Sequence, residues 1–150
     1  MSMNEEKNVS RQGAKTLRNE EPSAEDDRIA SLVVDACLKI HIDLGPGLLE
    51  SVYERVLAYE LEQRGCSVQA QVGIPIVYQG MVFEEGFRAD LIACRRVIVE
   101  VKSVERLMPV HSKQLLTYLR ITGLRLGLLV NFGEALMKTG IHRVINNRAI

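Results

Sequence analysis

The hexapeptide Val97-Ile98-Val99-Glu100-Val101-Lys102 limits the fold of this chain more than any other segment, because it has the β-branched content of a buried strand and yet carries two charges. Alternate side chains of a strand share a face, so Val97, Val99 and Val101 point one way while Ile98, Glu100 and Lys102 point the other. Burying such groups costs several kcal/mol unless they are paired or bound to an ion. The strand is therefore expected to run from core into a polar site.

Phe87 to Ala93 reads as the strand before it, with Arg95 and Arg96 in the intervening turn, and it carries a further acid, Asp90. Register decides whether the acids meet. A two-residue loop at Arg95-Arg96 pairs Cys94 with Val97 and puts Asp90 and Glu100 on opposite faces; an odd loop, Cys94 to Arg96, pairs Asp90 with Glu100. We predict the odd loop or a bulge. Two converging carboxylates make a hard oxygen site suited to Mg²⁺ or Mn²⁺, with Lys102 beside it to orient or activate a water or to neutralise developing phosphate charge.

The frame around this pair is read from periodicity. Residues 1–22 are polar and aperiodic, the pattern of a disordered leader, and residues 23–150 are expected to form a single domain. Ser23 with Asp26 three residues on marks a helix start, Ile29, Leu32, Val33, Ala36, Cys37 and Ile40 form its apolar stripe, and Gly45-Pro46-Gly47 ends it. A second helix is predicted from Leu48 to Arg64. After Gly65 the period becomes two, giving strands at Ser67 to Gln71, Ile74 to Tyr78, Met81 to Glu84, Phe87 to Ala93 and Val97 to Ser103, with a tight turn at Gln79-Gly80. A third helix fits Val110 to Thr122, Leu126 to Asn131 suits a buried parallel strand, and His142 to Asn146 reads as an edge strand or a short helix. The expected class is α/β, in α-α-β-β-β-β-α-β order, with a mixed sheet of four to six strands flanked by helices.

Composition narrows the partners. The 19 basic and 19 acidic side chains cancel, which excludes a uniformly basic nucleic-acid coat protein. From Asp90 onward, however, ten basic residues face four acidic ones, so the C-terminal part has a surplus suited to a polyanion. Cys37, Cys66 and Cys94 are odd in number and without a CxxC pair, and are read as small buried hydrophobes; His41, His111 and His142 are too dispersed for a His metal site. No segment has the apolar length of a signal peptide or a membrane span, so a cytoplasmic protein is expected. Five per cent aromatic residues and no Trp give few stacking platforms for bases, and the apolar edge formed by Ile74 to Tyr78 and Met81 to Phe83 offers a contact for a homo-oligomer.

Asp90 followed by Glu100-Val101-Lys102 resembles the D…(D/E)xK signature of the PD-(D/E)xK nuclease superfamily, with Ala89 where the family name has a non-ligand proline. Gln114 and Tyr118, four residues apart on one helix face, are similar to the QxxxY element of RecB-like and lambda-type exonucleases. Gly47-Leu48-Leu49-Glu50-Ser51-Val52-Tyr53 resembles the motif of the GxxExxY protein family, and the similarity runs on through Gly86 to Asp90, Val99 to Lys102, Gln114 to Tyr118 and Asn131-Phe132, over residues 28–146. The resemblance implies a restriction-endonuclease-like core and metal-assisted phosphodiester hydrolysis with Mg or Mn. It implies Asp90, Glu100 and the Val101 carbonyl as metal ligands, Glu50 as a further direct or water-mediated one, Lys102 to position the attacking water, and Gln114 and Tyr118 to orient the lysine or contact phosphate. Arg106, Lys113, Arg120 and Arg125 would hold the nucleic-acid backbone, DNA ahead of RNA. The alternative is a catalytically silent binding, regulatory or oligomerisation module that keeps the fold.

Overall fold

A computed structural model describes residues 21–147. The leader expected over residues 1–22 lies, apart from Glu21 and Pro22, outside the described residues.

Helix α1 (Ala24–Leu44) opens with a capping box: the Ser23 hydroxyl accepts the Asp26 N–H at 3.1 Å, and the Asp26 carboxylate accepts the Ser23 N–H at 3.0 Å. Its stripe Ile29, Val33, Ala36, Cys37 and Ile40 is buried. The helix stops at Gly45, whose φ of 68° favours glycine. Helix α2 (Glu50–Gln63) follows at once and buries Tyr53, Leu57 and Leu61.

The strands are β1 (Val68–Tyr78), β2 (Met81–Ala93), β3 (Val97–Lys102), β4 (Leu126–Asn131) and β5 (Ile141–Ile145), in the order β1-β2-β3-β4-β5. All neighbours are antiparallel except β3 and β4, which are parallel and joined by helix α3 (Pro109–Thr122). This five-stranded mixed sheet between helices is consistent with the restriction-endonuclease-like fold expected. One face packs Leu91, Val97, Val99, Val101 and Val130 against α1 and α2; the other packs Ala89, Ile92, Ile98 and Leu129 against Leu115 and Leu119 of α3.

Three local readings are corrected. The four short strands predicted between Ser67 and Ala93 are two long ones. Gln79 and Gly80 both have positive φ, 45° and 82°, which suits the twist of a two-residue hairpin, and the ladder continues past Pro75, which has no N–H to donate, through a register shift between Ile74 and Ile76. Because β3 pairs only with Leu91 to Ala93, the rest of this hairpin runs beyond the sheet, and Val77, Tyr78, Met81, Val82 and Phe83 at its tip are more than half exposed. Secondly, a four-residue helix α4 (Met137–Gly140), too short to show a period, precedes β5. Thirdly, Cys66 is buried but is more than a filler. Its sulfur lies 2.6 Å from that of half-buried Cys94, a meeting across 28 residues that spacing along the chain does not reveal.

Candidate active site

The turn between β2 and β3 is Cys94-Arg95-Arg96, the odd loop, with Cys94 and Arg95 at φ of 49° and 58°. Ala93 therefore faces Val97, Ile92 faces Ile98 and Leu91 faces Val99. One step on, where Asp90 meets Glu100, side chains replace main-chain pairing. The Val101 N–H donates to Asp90 Oδ2 at 2.9 Å, and the Asp90 N–H donates to Glu100 Oε1 at 3.4 Å. The N–H and C=O of one strand residue point to the same side, so the Val101 carbonyl also faces this opening.

Glu100 is 7% exposed. Burial, then the facing charge of Asp90, raises its carboxyl well above the usual carboxylate range, with Lys102 pulling the other way. Lys102 is two residues on, half-buried on the same strand face, and makes no ion pair among the described residues. From the helix above, the ring of Tyr118 stacks on Phe87 at 3.9 Å and 2°, and its hydroxyl is raised by burial and then by the charges of Glu100 and Asp90. Gln114 lies one turn earlier on α3 and is exposed. The structure thus brings Asp90 and Glu100 together in the strand gap, with Lys102 on the strand face of Glu100 and Tyr118 near enough to feel the charge of both acids.

The α2 acids lie further out. Among the described residues no three His, Cys, Asp or Glu side chains form a metal-binding cluster, so Glu50 does not stand with Asp90 and Glu100 as a ready third ligand. Glu54, one turn on, accepts a hydrogen bond from the Gln71 amide; its carboxyl is raised by burial and then by the charge of Asp90, with a smaller contribution from Glu50. Glu54 is the acid of α2 that senses the strand pair, and periodicity could not single it out because the tilt of α2 over the sheet is a tertiary property.

Two clamps hold this end of the sheet. The Tyr53 hydroxyl donates to the Gly45 carbonyl at 2.5 Å and accepts the Leu48 N–H at 3.2 Å, while its ring stacks on Phe132 at 4.2 Å, so the motif tyrosine fixes the loop from which Glu50 starts its helix. Asn131 is fully buried; its Oδ1 accepts the N–H groups of Val104 and Gly133 at 3.0 Å, and its Nδ2 donates to the Val104 carbonyl at 2.9 Å. Gly133 has to be glycine here, since a Cβ would sit 2.1 Å from the Val104 oxygen. The segment that follows Lys102 is held by this contact.

The basic residues divide. Arg106 and Lys113 are exposed, in the segment after β3 and in the first half of α3, on the side where Lys102 emerges. Arg120 is in the last turn of α3, with a buried Nε that has no hydrogen-bond partner among the described residues, and Arg125 precedes β4 and donates to the Asn146 carbonyl. Because α3 carries the chain back along a parallel crossover, Arg120 and Arg125 lie toward the opposite end of the sheet.

The donor set fits a hard divalent cation: two opposed carboxylates, one of them deeply buried, whose mutual repulsion a cation would relieve, and a backbone carbonyl facing the same gap. A model of the PD-(D/E)XK nuclease superfamily matches residues 27–144, and the chain belongs to that superfamily, whose nucleases generally use divalent metal ions. The match spans Asp90, Glu100 and Lys102 and all but the edges of the described fold. Searches of curated proteins and of solved structures returned no match. Among the described residues no helix is long and apolar enough to cross a membrane.

Proposed function

We propose that this chain is a metal-dependent nuclease of the GxxExxY type that hydrolyses phosphodiester bonds, in DNA ahead of RNA. The observation that carries the reading is the meeting of Asp90 and Glu100 where the β2–β3 ladder opens, with Lys102 on the same strand face. Asp90, Glu100 and the Val101 carbonyl would hold Mg²⁺ or Mn²⁺, with Glu50 contributing through water. When bound, the cation supplies a lowered water pKa and stabilises the charge that builds on the phosphoryl oxygens.

The rest falls to side chains of this chain. Lys102 orients the attacking water and offsets negative charge at the scissile phosphate. The Tyr118 hydroxyl, stiffened by its stack on Phe87, and Gln114 one turn away orient Lys102 or contact that phosphate. Arg106 and Lys113 extend the contact to neighbouring phosphates. The preference for DNA rests on the likeness of Gln114 and Tyr118 to the exonuclease element.

The test is metal-dependent cleavage of single-stranded DNA, double-stranded DNA and RNA by the native protein, Asp90→Ala and Lys102→Ala. Cleavage by the native protein and its loss in both variants is the expected result. Undiminished cleavage in both would overturn the site assignment. Binding without cleavage by the native protein would favour the silent module.

A further inference from the structure

The turn that sets the register of the acids also carries a thiol. The Cys94 backbone is fixed by its N–H bond to the Ser67 carbonyl at 2.7 Å, and that of Cys66 by its N–H bond to the Leu61 carbonyl at 3.0 Å, just past the end of α2. Each main chain is held in place, and between them the Cys94 thiol donates to the Cys66 sulfur at 2.6 Å, closer than two non-bonded sulfurs normally approach. A disulfide needs only a short further closure, to about 2.05 Å. The third cysteine, Cys37, is fully buried in the α1 stripe.

The two sulfurs differ in access. Cys66 is 1% exposed, its thiol donates to the Ser67 carbonyl, and burial pushes it up to about 12. Cys94 is half-buried and opens into a pocket of about 360 Å³ lined also by Asp26, Arg95, Arg96 and Arg125. Asp26 is paired with Arg96 at 3.2 Å, and Arg28 of α1 adds a positive charge felt by both sulfurs. Arginine-rich surroundings attract anionic reagents.

The geometry points to Cys66 and Cys94 as a dithiol that is converted to an intramolecular disulfide by small disulfides bearing carboxylates, which enter through the arginine-lined pocket. The Cys94 thiol sulfur attacks one sulfur of the reagent; the reagent S–S bond breaks, a mixed disulfide forms on Cys94, and the first small thiol leaves with the Cys94 proton. Cys66 then attacks the Cys94 sulfur and the second small thiol leaves with the Cys66 proton. Two cysteine thiols are oxidised and one reagent disulfide is reduced to two thiols. The new bond ties the end of α2, the helix of Glu50 and Glu54, to the turn that holds Asp90 opposite Glu100.

The experiment treats the full reduced chain with glutathione disulfide or with the uncharged bis(2-hydroxyethyl) disulfide, followed by non-reducing peptide mass mapping. Glutathione disulfide should give a peptide linking Cys66 to Cys94, lighter by two hydrogen atoms, with Cys37 still alkylatable. Cys66→Ser should stall with one glutathionyl group on Cys94. Arg95→Glu should slow the reaction several-fold with glutathione disulfide and leave the uncharged reagent unaffected. No linked peptide in the native chain, or an adduct on Cys37 in Cys66→Ser, would overturn the dithiol; equal slowing of both reagents by Arg95→Glu would overturn the entry route.

Discussion

The two ends of the short β2–β3 ladder make opposite uses of the same three residue pairs. At one end Asp90 and Glu100 face each other across an opened strand gap, acids whose repulsion calls for a cation. At the other, Cys94, Arg95 and Arg96 form a positively charged turn that closes over a second thiol. Between them lie only Leu91 to Ala93 and Val97 to Val99, apolar and nearly all fully buried. The comparison teaches that turn parity is the variable on which the site depends: the loop length fixes the face on which each acid stands.

Deleting Ile98, a residue inside the ladder, attacks that link directly and should have the largest effect. With the same turn kept, the ladder then pairs Ile92 with Val99 and Leu91 with Glu100, which sends Glu100 to the face opposite that of Asp90 and abolishes metal-dependent cleavage; it also has to reverse one strand's buried face, so the urea midpoint should fall sharply. Retained cleavage with an unchanged midpoint would show that register does not control the acidic end. Asp90→Ala alone, leaving the thiol end intact, should cost at least about a hundredfold in cleavage rate while Cys66 and Cys94 cross-link as before.

Asn131→Ala tests the clamp behind Lys102. It leaves the Val104 N–H and carbonyl and the Gly133 N–H without their partner, and equilibrium unfolding should show a loss of about 2–4 kcal/mol. A pH series separates charge from packing. The folded state favours protonated Glu100, so the metal-free protein is fully stable where the carboxyl is protonated in folded and unfolded chains, and loses stability as pH rises from the ordinary carboxylate range toward the raised value. Glu100→Gln should flatten that slope, and Mg²⁺ should restore the lost stability in the native protein but not in the variant. The smallest expected effect is that of Tyr53→Phe, which removes the hydroxyl from Gly45 and Leu48 at about 1 kcal/mol by thermal or urea melting.

Much of this was legible in the residues because it depends on local rules. The period of two placed Glu100 and Lys102 on one face, and counting residues in a hairpin reduced the meeting of Asp90 with Glu100 to a choice between an even and an odd loop. Apolar spacing placed α1, α2 and α3 to within two residues at most of their ends, and the Ser23–Asp26 box marked the first start. What was not legible is non-local. The Cys66–Cys94 contact joins positions 28 apart, the nearness of Glu54 to Asp90 depends on how α2 lies over the sheet, and Asn131 declares itself only when the crossover brings Val104 beside it. The breaks expected at Val72-Gly73 and Glu85-Gly86 are both bridged, the first by pairing of Val72 and Gly73 with Ala89 and Arg88, the second by the register shift opposite Pro75, and alternation along one strand shows neither.

The three-residue turn has a kinetic consequence as well. Hairpins closed by so few residues form in about 1–10 µs, whereas the β3–α3–β4 crossover that lays Leu115 and Tyr118 over the acids closes a longer loop and is slower. Asp90 and Glu100 are thus brought face to face while still wet, and their desolvation falls due only when α3 docks. A divalent cation added to the folding chain should accordingly leave the early phase unchanged and act on the step that excludes water, prolonging the lifetime of the finished molecule more than hastening its birth.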